Sequence, residues 1–290
     1  MKIIFFFVLF FYKGVLLAEE IKTNQYASDV NRVGLEATKL LIRDTKSNIL
    51  LSPPGIYSSV QLLYMGSSKQ TRTELNTFLY AGSGYDKSIL ANQNIEKHPL
   101  GESAFWISES AVFYSPNHLL LSDYKNLVEK YTPTLLLPLN GSSDIKLANK
   151  WVKDKTRNMI DNLLGDNDIG IDLLIANVNY FSGKWKKSFS KEMTQVKTFH
   201  CQDKSESKVK MMERKGKYRY LKNEDFEMIE LPYSSDKFST LMIVPYEKSN
   251  ISALLQNSHQ LIAGFEKESS TLYGRVQIPL FTIDKEYSLK

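Results

Sequence analysis

Four histidines could act as metal ligands or general bases in this chain: His98, His118, His200 and His259. A metal site built from one segment needs ligands a turn or a short loop apart, and acid–base work needs a carboxylate or nucleophile beside the ring. These four stand far apart in sequence, with no ligand spacing between any two. The sequence also holds no G-x-S-x-G elbow, no phosphate-cradling loop, no G-x-G-x-x-G turn and no H-E-x-x-H helix. Asp166-Asn167-Asp168-Ile169-Gly170-Ile171-Asp172 sets acids at alternate positions, as a calcium loop does. That loop requires glycine at its sixth place and glutamate at its twelfth. Here those places hold Ile171 and Asn177, so the stretch reads as a polar connection from helix to strand. No metal site, no cofactor and no enzymatic activity are expected.

Cys201 is the sole cysteine, so no intramolecular disulfide can form and stability must come from the core. It reads as a tolerated thiol, with a reactive thiol or an intermolecular bridge as the other reading. Two acceptor triplets for N-glycosylation are present, at Asn140-Gly141-Ser142 and Asn250-Ile251-Ser252. They agree with the amino terminus. Lys2, the apolar run Ile3 to Tyr12 and a small residue, Ala18, ahead of Glu19 and Glu20 describe a secretory signal peptide over residues 1–18. Lys13 interrupts its apolar region late. The run is too short to span a bilayer, and no other stretch is long enough, so no membrane anchorage is expected. A secreted, extracellular protein follows.

The 290 residues, 42% hydrophobic and 24% charged, suffice for a sizeable core. Lys2 and Lys13 supply two of the charges in the net +5, and the rest are mixed with acids along the chain. The densest basic stretch runs from Lys208 to Lys222. It reads as a solvated hairpin with alternating charges, against a glycosaminoglycan or nucleic-acid patch. No nucleic-acid partner is expected.

No repeat or linker divides residues 19–290, which read as one domain. Helices dominate the first half. Tyr26, Val30, Val33, Ala37, Leu40 and Leu41 recur at helical period. Ser52-Pro53-Pro54 opens a second helix, because a proline in the first turn lacks only an N–H that has no partner there. Thr71-Arg72-Thr73-Glu74 has capping-box spacing ahead of Leu75, Phe78 and Leu79. Ala148, Trp151, Val152, Met159, Ile160 and Leu163 predict one long surface-lying helix. Beyond residue 171 the period shortens. Ile171 to Phe181 is almost wholly apolar, as a strand buried on both faces would be. Tyr218–Leu221, Met228–Leu231, Thr240–Val244 and Leu272–Ile278 also read as strands. Early helices and late strands in one domain indicate an α+β fold.

Several strings, in order and at matching spacing, resemble the serpin family of serine protease inhibitors. Asn48-Ile49-Leu50-Leu51-Ser52-Pro53 resembles N-x-x-x-S-P, and Gly66, Thr71 and Leu75 continue it. Asn149-Lys150-Trp151-Val152, with Thr156 and Ile160, is similar to the family's N-x-W-V-x-x-x-T-x-x-x-I helix. Asn177-Val178-Asn179-Tyr180-Phe181-Ser182-Gly183-Lys184-Trp185 resembles N-A-[IV]-Y-F-K-G-x-W. Phe189, Thr194 and Phe199 keep the spacing of F-x-x-x-x-T-x-x-x-x-F. Val209-Lys210-Met211-Met212, Glu230-Leu231-Pro232-Tyr233 and Ile278-Pro279-Leu280-Phe281 complete the series, from about residue 24 to the end.

The resemblance implies three mixed or antiparallel sheets with eight or nine helices. It also implies suicide inhibition of a serine-type endopeptidase: an exposed loop is cleaved, then inserts as an extra strand into the main sheet and distorts the acylated protease. Ser52, Pro53 and Asn177 match the shutter where that sheet parts, and Trp185 matches the tryptophan at its top. Gly55 stands where the family usually has a second shutter serine. Asn179 takes a normally apolar strand position, and Leu280, matched with Trp185 to the top of the sheet, replaces a basic residue. Asp86 to Leu100, where the family's heparin helix would lie, holds only Lys87 and Lys97, so no heparin-like cofactor is implied.

By the same resemblance Lys290 precedes the fifth strand of the main sheet, the hinge and the reactive loop, so the reactive bond is expected to be absent from these residues. On that reading the 290 residues alone do not trap a protease and tend to aggregate, whereas the complete protein is a monomer. The alternatives are a non-inhibitory serpin (a carrier, chaperone or storage protein) and an inactive truncated product.

Overall fold

The computed structural model of the chain describes residues 9–12, 20–44, 48–80, 104–117, 120–165, 168, 171–201, 205–234, 238–246, 254 and 258–283. Three helices come first: α1 (Glu20–Asp44), α2 (Pro53–Gly66) and α3 (Lys69–Tyr80). Of the apolar period predicted for α1, Tyr26, Val30, Val33, Ala37 and Leu41 are buried and Leu40 is exposed; Tyr26, Val30 and Val33 meet Tyr57 and Tyr64 of α2 and Leu79 of α3. The α2 start is as read from sequence: Ser52 caps it, its hydroxyl accepting the Gly55 amide, with Pro53 and Pro54 in the first turn. The α3 start is not. The helix begins at Lys69, two residues before the expected capping box, and the Arg72 amide already donates to the Ser68 carbonyl. Glu74 accepts from Gln70 within the helix instead of reaching back to cap it.

Among the described residues two sheets carry the remainder. The smaller has the order β3 (Leu135–Pro138), β2 (Ala104–Tyr114), β4 (Leu173–Gly183), with β3 parallel and β4 antiparallel to β2. Its even-numbered β2 positions face α2: Val112 joins Leu62, Met65 and Val128, the last from α4 (Ser122–Tyr131). Its odd-numbered positions face α5 (Ser142–Lys155), where Ala111 and Phe113 pack against Ile145 and Ala148. Tyr124 of α4 donates to the Leu62 carbonyl, and burial pushes its phenol up to about 12, so it remains a neutral donor.

The larger sheet has six strands: β1 (Leu9–Tyr12), β8 (Phe238–Pro245), β7 (Phe226–Pro232), β6 (Glu206–Lys222) and β5 (Gln195–His200) in that order, with β9 (Ser270–Pro279) on β6. α6 (Ser258–Glu268) seats Phe265 in its core. The basic stretch 208–222 is therefore one strand and no hairpin. β6 is held from three sides, its start by β5, its middle by β9 and its end by β7. β6 runs unbroken through all three pairings and so joins β5, β7 and β9 in one sheet. Of the expected leader, 9–12 is described, and it pairs antiparallel with β8 from Leu9↔Leu241 to Tyr12↔Phe238.

Two expectations from apolar spacing are corrected. α5 stops at Lys155 and does not run on to Leu163. Arg157 and Asn158 turn into the left-handed region (φ 52° and 64°), and Met159, Ile160 and Leu163 are exposed. The turn is fixed by Asn149, whose carboxamide accepts from the Leu163 and Leu164 amides and donates to the Leu164 carbonyl. Three hydrogen bonds outweigh the burial of a few partly covered side chains. The second correction concerns β4. Only Val178 along it is fully buried, because β4 lies at the end of the strand order and takes no second neighbour among the described residues.

A titratable network sits on the larger sheet. Glu213 of β6 is 8% exposed and accepts from Gln277 of β9 and Lys197 of β5, with Arg275 at 4.0 Å. Chiefly the Gln277 hydrogen bond holds its carboxyl below the usual range, with the two cations assisting. A folded-state pKa below the unfolded one adds stability above the ordinary carboxylate range and loses it as pH falls through the depressed value. Glu213→Gln is accordingly expected to flatten the acid side of the melting-temperature profile, as measured by circular dichroism from neutral pH downwards. An unchanged slope would count against the network.

Candidate functional site

Alternation along β4 puts Asn177 and Asn179 on one face, and the antiparallel register sets Ser110 opposite Asn177 and Ser108 opposite Asn179. This face is turned to the N-terminus of α2. Asn177 donates from Nδ2 to Ser110 Oγ at 2.8 Å, and its Oδ1 accepts from Asn179 Nδ2. Ser108 and Ser110 are buried, at 4% and 5% exposed. On the helix side, Ser52 Oγ accepts the Gly55 amide at 3.3 Å. A Cβ built on Gly55 would stand 2.7 Å from Asn179 Nδ2, 2.9 Å from Asn177 Oδ1 and 3.3 Å from Ser52 Oγ. Ser52, Gly55, Ser110, Asn177 and Asn179 thus form one polar cluster between helix and sheet. None is ionisable at physiological pH, so the hold of the cluster on the sheet is independent of pH there.

The helix end is itself fixed by close packing. A Cβ on Gly34 of α1 would lie 2.5 Å from both Cβ and Cγ of Pro53. Gly34→Ala gains about 1 kcal/mol of helix propensity. Overpacking against a rigid ring costs about 1–3 kcal/mol, and the ring cannot swing aside. We expect the clash to prevail, lowering the urea midpoint of unfolding; a raised midpoint would show that α1 can shift freely.

Trp185 lies two residues beyond β4. Its indole stacks on Tyr233, with centroids 4.5 Å apart and planes 8° from parallel, and Phe189 meets it edge-on at 6.3 Å. Backbone pairing fixes the same place: Lys186 N–H donates to Pro232 O and Ser234 N–H to Lys184 O. Tyr233, the last residue of Glu230-Leu231-Pro232-Tyr233, shares a hydrogen bond with Thr240. Burial raises its phenol pKa, so it remains protonated.

The structure therefore brings Ser52, Gly55 and Asn177 together, with Pro53 beside them against Gly34. Trp185 forms a separate aromatic anchor at the end of β4. Leu280 joins neither. It is 59% exposed just past β9, tied by its amide to the Lys210 carbonyl. Asn140 is exposed, and its amide donates to Asp144 in the first turn of α5. Asn250 and the span 86–100 lie outside the described residues. Among the described residues no group of three or more His, Cys, Asp or Glu side chains could hold a metal, and no helix is long and apolar enough to cross a membrane. Asp168 accepts the Gly165 amide, a local turn contact.

Ser108 and Ser110 were missed in the sequence. Their signal is the period-two alternation Ser108-Glu109-Ser110 inside an otherwise apolar strand.

Comparison with known proteins supplies the context. The family model described as Serpin (serine protease inhibitor) matches residues 28–290. An uncharacterized serpin-like protein of Methanosarcina acetivorans is 28% identical over 86% of this chain and 61% of its own length. A serine protease inhibitor of Cyanea capillata is 27% identical over 87% of this chain and 71% of its own. The chain thus spans about three-fifths to seven-tenths of these relatives. The reaction-loop-cleaved structure of lamprey angiotensinogen superposes with a TM-score of 0.80 at 22% identity, over 90% of this chain and 80% of that one. It shares the fold.

Proposed function

Since the chain belongs to the serpin family, we propose that the protein carrying these residues is a secreted inhibitor of a serine-type endopeptidase. It acts by taking an extra strand into the small sheet after cleavage of a reactive loop. The observation that supports this most is the polar cluster behind β4, with no further strand paired to β4 among the described residues. A strand edge presents backbone N–H and C=O groups to an added strand, and the eleven-residue β4 has no further strand beside it among the described residues. Adding a strand satisfies them, and that gain drives insertion without any catalytic side chain. Ser52, Pro53, Gly55 and Asn177 serve as the shutter in this reading. Trp185 marks the end of the sheet where entry begins, whereas Leu280, tied to Lys210 on the larger sheet, takes no part in it.

The test is to capture the native protein from its source and incubate it with trypsin-, chymotrypsin- and elastase-like proteases. An SDS-resistant complex with one of them is expected. Cleavage without any complex would defeat inhibition and favour a carrier, chaperone or storage role.

Secretion rests on the sequence of residues 1–18. The exported protein is expected to begin at Glu19 by intact mass and to carry glycan on the exposed Asn140. A mature chain that keeps Met1 would overturn the leader and leave Leu9–Tyr12 as a permanent strand on β8.

A further inference from the structure

Gly55 contributes no side chain to the cluster, yet the space beside it is filled. The position a Cβ would take is crowded by Asn179 Nδ2 at 2.7 Å and Asn177 Oδ1 at 2.9 Å. Asn179 Nδ2 donates a hydrogen bond to Asn177 Oδ1. Asn179 therefore reaches across from the strand into the volume belonging to residue 55 and there gives Asn177 a donor. We propose that Asn179 is a positioning residue that acts in place of a side chain at Gly55, so that the two positions form one exchangeable pair setting the orientation of Asn177.

The consequence extends to Ser110 on the neighbouring strand. With Oδ1 of Asn177 engaged by Asn179, its Nδ2 is directed at Ser110 Oγ, which ties β4 to β2. The arrangement has a cost, because Asn179 Oδ1 is buried and has no partner among the described residues. A buried acceptor without a donor is unfavourable. The pair thus fixes Asn177 while leaving the sheet less firmly held to α2 than a fully satisfied cluster would.

A double-mutant cycle tests this. A serine at position 55 brings a hydroxyl able to donate to Asn177, and an alanine at position 179 removes the closest obstacle, Asn179 Nδ2, so that of the contacts under 3 Å only the Asn177 carboxamide, at 2.9 Å, must shift to admit the serine Cβ. Gly55→Ser alone should clash and lower the melting midpoint by about 5 °C, and Asn179→Ala alone should lower it by a similar amount by stranding Asn177. Gly55→Ser combined with Asn179→Ala is expected to return to within about 2 °C of the parent or above it. Two stability losses that simply add would overturn the pairing, since independent sites add and coupled ones do not. If Gly55→Ser does not fold by itself, folding of the double variant is the rescue that the pairing requires. A double variant that also fails to fold overturns it. The proposal rests on the same cluster as the inhibitory reading, but its test reads stability. Rescue without any protease complex would defeat the inhibitor and leave the pair standing, whereas additive losses would defeat the pair whatever the inhibition.

Discussion

Asn177→Ala is expected to destabilise the protein by about 2–4 kcal/mol, far more than its half-buried position suggests. Asn177 is the one side chain of the cluster that bonds in both directions, to Ser110 on the neighbouring strand and to Asn179 on its own. Removing it leaves Ser110 Oγ and Asn179 Nδ2 without that partner inside the structure. Each stranded group costs about 1–3 kcal/mol, whereas losing a hydrogen bond whose partner can turn to water costs nearer 1 kcal/mol. Asn179 Oδ1 is already unpartnered among the described residues, so little reserve remains to absorb the loss. Ser110→Ala should cost less, about 1 kcal/mol, because only the Asn177 amide is left behind. Urea unfolding of both variants checks the order. Equal costs would mean that water reaches the cluster freely. Under the proposed function the same change also loosens the sheet, and loss of SDS-resistant complex should accompany loss of stability.

How much of this was legible in the sequence differs by the range of the interaction. Ser52-Pro53-Pro54 announced a helix start because capping is local: the hydroxyl, the amide it accepts and the prolines lie within four residues. The strands at 218–221, 228–231, 240–244 and 272–278 were visible because alternation and β-branched content are also local. The end of α5 was not. The apolar spacing of Met159, Ile160 and Leu163 continues the helical period, and the decisive bonds come from Asn149, fourteen residues away in sequence. The burial of β4 was overestimated for a related reason. An apolar strand reads as central, but what covers its edge is set by topology. In the cluster, Ser52, Asn177 and the two unusual residues Gly55 and Asn179 were all singled out by resemblance. That Gly55 and Asn179 compensate one another could not be read, because the contact bridges 124 positions and is expressed only in the crowding around a missing Cβ. Ser110 stayed hidden because a serine on a strand carries no chemical signature until the register sets it opposite Asn177.

Trp185→Ala should also be costly, by roughly 2–3 kcal/mol, and its effect should be local. A fully buried tryptophan costs about 3–5 kcal/mol on truncation, and this one is only half-buried. Its indole covers Tyr233 face to face, so the truncation also forfeits an aromatic contact of about 0.5–1.5 kcal/mol. The backbone bonds of Lys186 and Ser234 flank the stack and are untouched by the substitution, so the strand end stays threaded but loses its weight. Hydrogen exchange should therefore quicken at residues 181–186 and 232–234 while α5 and its face of β2 keep their protection. Trp185→Phe, which retains a ring over Tyr233, should recover much of the difference. Uniform quickening across both sheets would mean that the stack supports the whole fold instead of one end of β4. On the inhibitory reading, a freed strand end also disturbs the place where the inserted strand enters, and the yield of SDS-resistant complex should fall together with the local protection. A variant that loses protection but keeps its full yield of complex would separate the anchoring role of Trp185, which follows from its contacts, from the role at the point of insertion that the family resemblance implies.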